Sequence, residues 1–568
     1  MNKLVRGLLA SLLAISAVNG AVKNDRTFIA HRDDLSNLGL EWTTKNHHLS
    51  KGNHSTLGAT FMVTPFYATS TNDTDLGRLF GLGTTGKVAV SDGMSVVFND
   101  EGLGAGKTHS VTPADPYAAL YNFRIDHSPN SDGTTAGQIP MSGTVTLKPK
   151  RTVWGAHLSW DQSLDTVLKG LRFCVQAPIT EVSTSMKATV IGTASAIPAT
   201  DGKTGATLDE FFNGSLSKDI ATYSNVYQKG LAKHKMDNKW HSAVGVGDVN
   251  VSLNWNCCNT KRFNFGVSTS LRIPTGNTPT GEWLFEPIYG ARGHVAAGAG
   301  ANVHVNGFNR GALHVGFDLA ADWKYFFKGT EKRTLGVYDL TNKVTLPGSS
   351  WQNVMRHKQS GVQPSANVMT LDHTVTPGHQ FEGLAGICST WHNWTVDLGY
   401  NIFWHEKEKV VLKSTWYDDR YAMTHPKYSM LTTGDATEIP AEQHLHVIGT
   451  AGQDEGTSPD TDLYTSLGGP IQNNGKTTSA LMVQERGTNS VTQDDADGGT
   501  QTVQYNTTSA NAVTESQITH SIVGGIGYKF KGNYPVVVAL GGQGEFQEND
   551  RNSALEGWKV WAKVGVNF

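Results

Sequence analysis

The sequence predicts an all-β fold, a transmembrane antiparallel up-and-down barrel of about fourteen strands. Three observations lead there: a two-residue apolar period along most of the chain, no apolar run long enough for a membrane helix, and connections that sort into short and long sets. A strand alternates its side chains between two faces, so a barrel in lipid needs apolar residues at every second position only.

The chain opens with Lys3 and Arg6, the apolar run Leu8 to Val18 and the small residues Asn19, Gly20 and Ala21. This is the pattern of a secretory signal peptide, with cleavage expected after Gly20. A run of 11 residues is too short to cross a bilayer as a helix, and no apolar run of 18 or more occurs elsewhere. Losing residues 1–20 takes the formal charge from −3 to −5, too little to suggest a nucleic-acid partner. Glycine is abundant: 62 of 568 residues, about 11% against the usual ~7%. A barrel whose inner face can be polar and small accounts for this and for the modest 38% hydrophobic content.

Residues 21–56 precede the first strand and are expected to be a periplasmic or plug segment, with residues 57–568 forming the barrel. Strands are predicted at 57–68, 116–126, 141–149, 151–161, 169–178, 240–256, 261–273, 292–306, 312–328, 377–390, 393–406, 518–530, 534–546 and 556–568, with twelve to sixteen admissible. Trp394, Val396, Leu398, Tyr400, Ile402 and Trp404 share one face, for example, against Thr395, Asp397, Gly399 and Asn401. The short connections, such as NCCNTK, GFNRG and KGNYP, read as periplasmic turns; the long ones, up to the 111 residues of 407–517, read as extracellular loops. Two connections break the rule: LKPKR is short where a long one is due, and SPNSDGTTAGQIP is long where a short one is due. A soluble β-sandwich would also alternate, but does not require this sidedness.

The chain ends on WKVWAKVGVNF, with Trp558, Val560, Ala562, Val564, Val566 and Phe568 on one face and Trp561 as the large exception. With the signal peptide and the amphipathic strands, this ending resembles the outer-membrane β-barrel proteins of Gram-negative bacteria. The resemblance covers the chain as architecture and implies a bacterial outer-membrane location among lipid and lipopolysaccharide. It also implies that Val564, Val566 and Phe568 form the signal read by the barrel-insertion machinery. The strand number and the pair GVGDVNVSLNW and FGVSTSLRIPTG are similar to fatty-acid and aromatic-hydrocarbon transporters, although no diagnostic hatch motif stands between residues 21 and 56. The trimeric porins use more strands, and assembly with further copies stays open.

The inward set is expected to include Arg262, Arg272, Asp318, Asp322, Lys324, Asp397, Lys529, Glu545, Lys559 and Lys563. Dry, unpaired charges cost several kcal/mol each, so a wet lumen is expected, with the loop 407–517 folded inward as its constriction. The mixed signs argue against strong ion selectivity.

No catalytic constellation, cofactor or resident metal is expected. GLGAGKT at 102–108 lacks the first glycine of a phosphate-binding loop, and no G-x-S-x-G elbow occurs. His157, His314 and His405 read as lone inward histidines. His47, His48 and His54, and the acidic run Asp494, Asp495 and Asp497, read as solvated segments rather than metal sites. Of four cysteines, Cys257 and Cys258 fall in a periplasmic turn, where Cys388 is a candidate disulfide partner; free thiols are equally compatible. The function expected first is a channel for small polar solutes; a transporter for hydrophobic molecules with a plug and a kinked wall strand, or an adhesive surface barrel, are the alternatives.

Overall fold

The structure is a computed structural model. It describes residues 25–33, 35, 37–43, 58–81, 86–91, 118–121, 124–126, 138–194, 207–216, 230–260, 262–339, 344–345, 348–351, 353–356, 362–414, 421–423, 483–484, 491–494, 500–503, 505–547 and 555–568. The signal peptide, His47, His48, His54, GLGAGKT, Asp495, Asp497 and most of 407–517 lie outside them.

Twelve antiparallel strands close into a ring: β1 Ala59–Ser70, β2 Lys150–Ser163, β3 Leu171–Ser185, β4 Val249–Asn259, β5 Phe263–Ile273, β6 Ala296–Arg310, β7 Leu313–Phe326, β8 Gly378–Trp391, β9 Trp394–His405, β10 Gln517–Phe530, β11 Val536–Gln547 and β12 Gly557–Asn567. β12 pairs with β1, Val63 opposite Val564 and Thr69 opposite Trp558, so the last strand seals the first. Closure gives each of the twelve strands a hydrogen-bonded neighbour on both sides, as a strand in lipid needs. This is the architecture of a Gram-negative outer-membrane barrel, and among the described residues no helix is long and apolar enough to cross a membrane.

The predicted strands 116–126 and 141–149 are not in the wall. Residues 118–121, 124–126 and 138–146 join 87–91, all from the β1–β2 connection, and 189–194, from the β3–β4 connection, in a separate sheet. A half-buried sheet outside the membrane obeys the same two-residue period as a wall strand. Removing both strands also removes the two irregular connections, and every short turn then lies at one end of the barrel.

The outer face is the predicted one. Trp558, Val560 and Val564 are exposed while Trp561, Lys563 and Asn567 on the other face are buried. Aromatic side chains fringe both ends: Trp160 stacks on Phe568 at the turn end, and Tyr67 packs on Trp558 at the loop end. Such girdles mark membrane interfaces.

The long connections pack together at the loop end as a cap. Its core gathers Leu76, Phe80, Val145, Phe211, Phe212, Phe285 and Trp351 from different connections. Ile29, from the N-terminal segment, sits in the same core.

Candidate functional site

The lumen is built from the inward residues of the twelve strands and from residues 25–43, which run into it. Asp25 and Arg26 pair by backbone hydrogen bonds with Gly81 and Leu79, and Thr27 with Asn511, all in the cap. Phe28 is held between two guanidiniums, 3.1 Å from Arg333 and 5.6 Å from Arg292. Those arginines share the buried carboxylates of Glu331 and Glu408: Arg292 to Glu408 at 2.6 Å and Arg333 to Glu331 at 2.7 Å. Burial alone would push the Glu408 carboxyl up, but Arg292 and Arg333 outweigh it and hold the pKa at about 2. Asp25 goes the other way. Burial raises its carboxyl to about 8, against the opposing hydrogen bond from the Gly348 N–H and the charge of Arg26.

Below the cap the segment meets the wall. Arg32 pairs with Glu382 of β8 and, at 3.1 Å, with Glu545 of β11, and lies 4.6 Å over the Phe403 ring. Asp33 pairs with Arg272 of β5 at 2.7 Å. A one-turn helix, Leu38–Trp42, then packs against β8, β9, β10 and β11. A helix this short leaves nearly all its end groups unpaired, and here both ends are met. Asn37 accepts from the Leu40 N–H at 2.9 Å, Glu382 accepts from the Leu38 N–H at 2.8 Å, and Lys563 donates to the carbonyls of Leu40 and Thr43.

Glycines on the inner wall make room for this helix. A Cβ at Gly386 would lie 2.5 Å from the Trp42 ring, and one at Gly399 would lie 2.9 Å from it. Gly541 does the same for Trp561, so the outlier of the last strand turns inward over a glycine. Leu40, Trp42, Phe66, Val153, Leu384, Val523 and Trp561 form an apolar cluster inside the barrel.

Nine of the ten expected pore-lining residues face inward, but in most the charge is taken up by pairing rather than by water. Arg272, Glu545 and Lys563 bind the N-terminal segment as above. Asp322 pairs with Lys324, Asp318 with His304 at 2.8 Å, and Lys559 lies 4.9 Å over the Phe66 ring. Asp397 is buried, and Lys529 is half-buried near the turn end. Arg262 is the exception: it is exposed in the β4–β5 turn, where the inward alternation has already stopped. His157 and His405 face inward and are buried, whereas His314 is exposed at the start of β7. Val564 points outward, half-buried Val566 follows it two residues on, and the Phe568 ring packs 6.1 Å from Tyr534.

Of the two cysteine alternatives the structure has the unbridged one: none of the four cysteines forms a disulfide, and Cys257 and Cys258 on β4 are separated from the buried Cys388 on β8 by β5, β6 and β7.

A cavity of about 230 Å³ lies between the segment and the wall. Leu35, Leu38, Leu40 and Trp42 line it from the segment; Ser252, Asn254, Ser268 and Ser270 line it from β4 and β5. It reaches Gln176 and Asn250, which are paired across β3 and β4. That rung is the last before a break. Above it, β3 continues against the short strand His241–Val246, with Ile179 opposite Val246, while β5 stops at Ile273 opposite Val249. Pro178 sits at the break, where its carbonyl accepts from the Gly247 N–H at 2.7 Å. The wall therefore forks between His241–Val246 and β5. Residues 274–295 wedge into the fork, held by Asp248, which accepts from the Ala291 N–H at 2.7 Å and the Gly276 N–H at 3.2 Å.

No family model matches the chain, and no curated protein matches it. Solved structures show weak likeness. An outer membrane channel from Pseudomonas putida F1 is 9% identical with a TM-score of 0.32, covering 91% of this chain and 99% of that one. A Pseudomonas aeruginosa FadL homologue is 9% identical at a TM-score of 0.24, covering 90% and 89%. The Pseudomonas putida toluene transporter TodX is 7% identical at 0.23, covering 97% and 98%. The functional reading therefore rests on this chain's own residues.

The residues that sequence reasoning missed are Arg32, Asp33, Leu40, Trp42 and Thr43. Their signal lies far away in the chain: glycines at inward positions of β8 and β9, where a polar lumen has no need of them.

Proposed function

We propose that this barrel carries small apolar or amphipathic molecules across the outer membrane through a filled lumen, rather than acting as an open pore for polar solutes or as a catalyst. The observation that carries this reading is the N-terminal segment, whose Arg32, Asp33 and Trp42 are seated in the wall by ion pairs and glycine beds. Among the described residues it is this segment that occupies the lumen. An open channel for small polar solutes would need a water path where the cluster around Leu40, Trp42 and Trp561 stands.

The cavity suits an amphiphile. One wall is aliphatic and aromatic, the other offers serine and asparagine side chains beside charges paired with one another, Arg172 with Asp161 and Lys324 with Asp322, and its volume of about 230 Å³ exceeds the ~150 Å³ of a cavity that holds benzene. Its exit is the fork. A molecule leaving past Pro178 and Gly247 would enter the bilayer sideways, a route on which burying an unpaired polar group costs several kcal/mol. The route thus selects for apolar cargo.

The test compares two fluxes in proteoliposomes holding the full chain: uptake of a radiolabelled single-ring aromatic, and swelling in a pentose. Protein-dependent aromatic uptake without pentose swelling is expected. Swelling at the rates of an open pore would overturn the reading in favour of a polar-solute channel.

A further inference from the structure

The strands β7, β8 and β9 do not end at the membrane. Each is followed or preceded by a short strand, and these pair in the same order above the barrel: Gly329–Thr334 with Thr370–Thr376, and Thr370–Thr376 with Lys409–Leu412. This three-stranded sheet is an upward extension of the wall. Its inner face is the buried cluster of Glu331, Arg333, His373 and Val375.

The outer face is different in kind. Alternation places Lys328, Thr330 and Lys332 there from the first strand, Asp372, Thr374 and Thr376 from the second, and Lys407, Lys409, Val411 and Lys413 from the third. All five lysines are exposed. Two carboxylates offset them: Asp372 pairs with Lys332 at 3.1 Å and Glu515 with Lys407 at 2.9 Å. Lys413 donates to the Thr330 hydroxyl at 2.8 Å. The chain as a whole carries a formal charge of −3, so this basic face is a local departure from its surroundings.

Its height is fixed by what lies beneath. Trp323, Tyr325, Phe327 and His379 form the outward aromatic fringe of β7 and β8, Trp323 donating to His379 at 3.2 Å. Tryptophan and tyrosine settle at the boundary between hydrocarbon and headgroups. Lys328 directly follows Phe327, so the lysines begin where the hydrocarbon stops.

We propose that this face binds the phosphate groups of the phosphorylated glycolipid that forms the outer leaflet, lipopolysaccharide. The fit is one of charge and position: ammonium groups and three threonine hydroxyls stand at headgroup height, on strands spaced ~4.8 Å apart, where a phosphorylated sugar can be gripped from several points.

The experiment uses the full chain, purified and exchanged into neutral detergent, with deep-rough lipopolysaccharide as probe and retained lipid measured per barrel after a salt wash. The variants are K328Q/K409Q/K413Q and, as a control at the opposite membrane face, K169Q/K531Q. Heat-dependent gel mobility checks that each barrel is closed. The triple variant is expected to lose retention by at least ~10-fold, with the control unchanged and phosphatase-treated lipopolysaccharide held as poorly by the unaltered chain. Equal retention by the triple variant, or displacement of the probe by phosphatidylglycerol vesicles at equal phosphate, would overturn the proposal.

Discussion

Lys563, on the last strand of the barrel, donates from its ammonium to the backbone carbonyl of Thr43, 2.6 Å away and 520 residues earlier in the chain. The same ammonium reaches the Leu40 carbonyl, so one side chain caps the C-terminal end of the lumen helix. Both groups are buried, and an unpaired buried carbonyl costs about 1–3 kcal/mol. Lys563→Met fills a similar volume without the donor. It is expected to loosen the helix, to lower the unfolding midpoint and to turn a silent barrel into one with flickering conductance in a planar bilayer. Silence equal to that of the unaltered chain would show that the helix is held by packing alone.

The glycine bed gives a sharper version of this test. Gly386 has no space for a Cβ beside Trp42, whereas a Cβ at Gly544, on the outer face, would meet nothing within 4 Å. Gly386→Val is therefore expected to push Trp42 out of its seat, moving tryptophan emission to the red and raising conductance. Gly544→Ala is expected to leave both readouts unchanged. Equal emission spectra for the two variants would contradict the seating of Trp42.

The ion pairs above the helix predict a non-additive result. Arg32→Met leaves the buried Glu382 carboxylate without its guanidinium, and breaking one side of a buried pair costs about 3–5 kcal/mol. Adding Glu382→Gln removes the stranded charge. The double variant is expected to be more stable than R32M alone, as read by the urea midpoint of the folded barrel. Simple additivity of the two losses would show that Arg32 and Glu382 do not interact.

The wall was legible in the sequence because lipid enforces a period of two. Trp558, Val560 and Val564 have no choice but to face outward once Lys559 and Lys563 face inward. The same period misled at 141–149, because a sheet in the cap buries one face and wets the other as well. The two connections of the wrong length, LKPKR and SPNSDGTTAGQIP, were the evidence that those strands lay elsewhere. The lumen helix was not legible. Five residues, LGLEW, have too little periodicity to declare a helix, and what seats them, Gly386, Gly399, Glu382 and Lys563, is spread over strands hundreds of residues away. The clamp on Phe28 is equally non-local, since Arg292, Arg333, Glu331 and Glu408 come from three connections.

The cap should respond to pH in two opposite ways. Asp25 has a carboxyl raised to about 8, so the native state keeps a proton that the unfolded chain loses near pH 4. Its contribution to stability is complete below about pH 4 and is lost as the pH rises through about 8, at up to about 1.4 kcal/mol per unit. Glu408, held at about 2, contributes above its ordinary value of 4.5 and loses that contribution as the pH falls through about 2. The anchoring of residues 25–30 is therefore expected to weaken from pH 6 to pH 9, measured as faster proteolysis of the N-terminal segment. Asp25→Asn, which keeps the shape without the proton, is expected to flatten that alkaline dependence. A variant as pH-sensitive as the unaltered chain would assign the effect to another group.

Asp248 holds the fork in the wall shut. Its two carboxylate oxygens accept from Gly276 and Ala291, at the two ends of the wedge, and Thr275 donates its hydroxyl to the neighbouring Gly247 carbonyl. In Asp248→Ala the wedge loses both anchors while the pairing of β3 with β4 below it, from Gln176 opposite Asn250 to Leu171 opposite Trp255, is untouched. If cargo leaves sideways through the fork, the variant should take up a single-ring aromatic faster than the unaltered chain, at the expense of about 1–3 kcal/mol of stability from the two N–H groups left without acceptors. Pentose swelling should stay absent, because the N-terminal segment still fills the lumen. Faster aromatic uptake with a silent lumen would place the exit in the wall. A rise in pentose flux instead would mean that the wedge supports the plug rather than the fork.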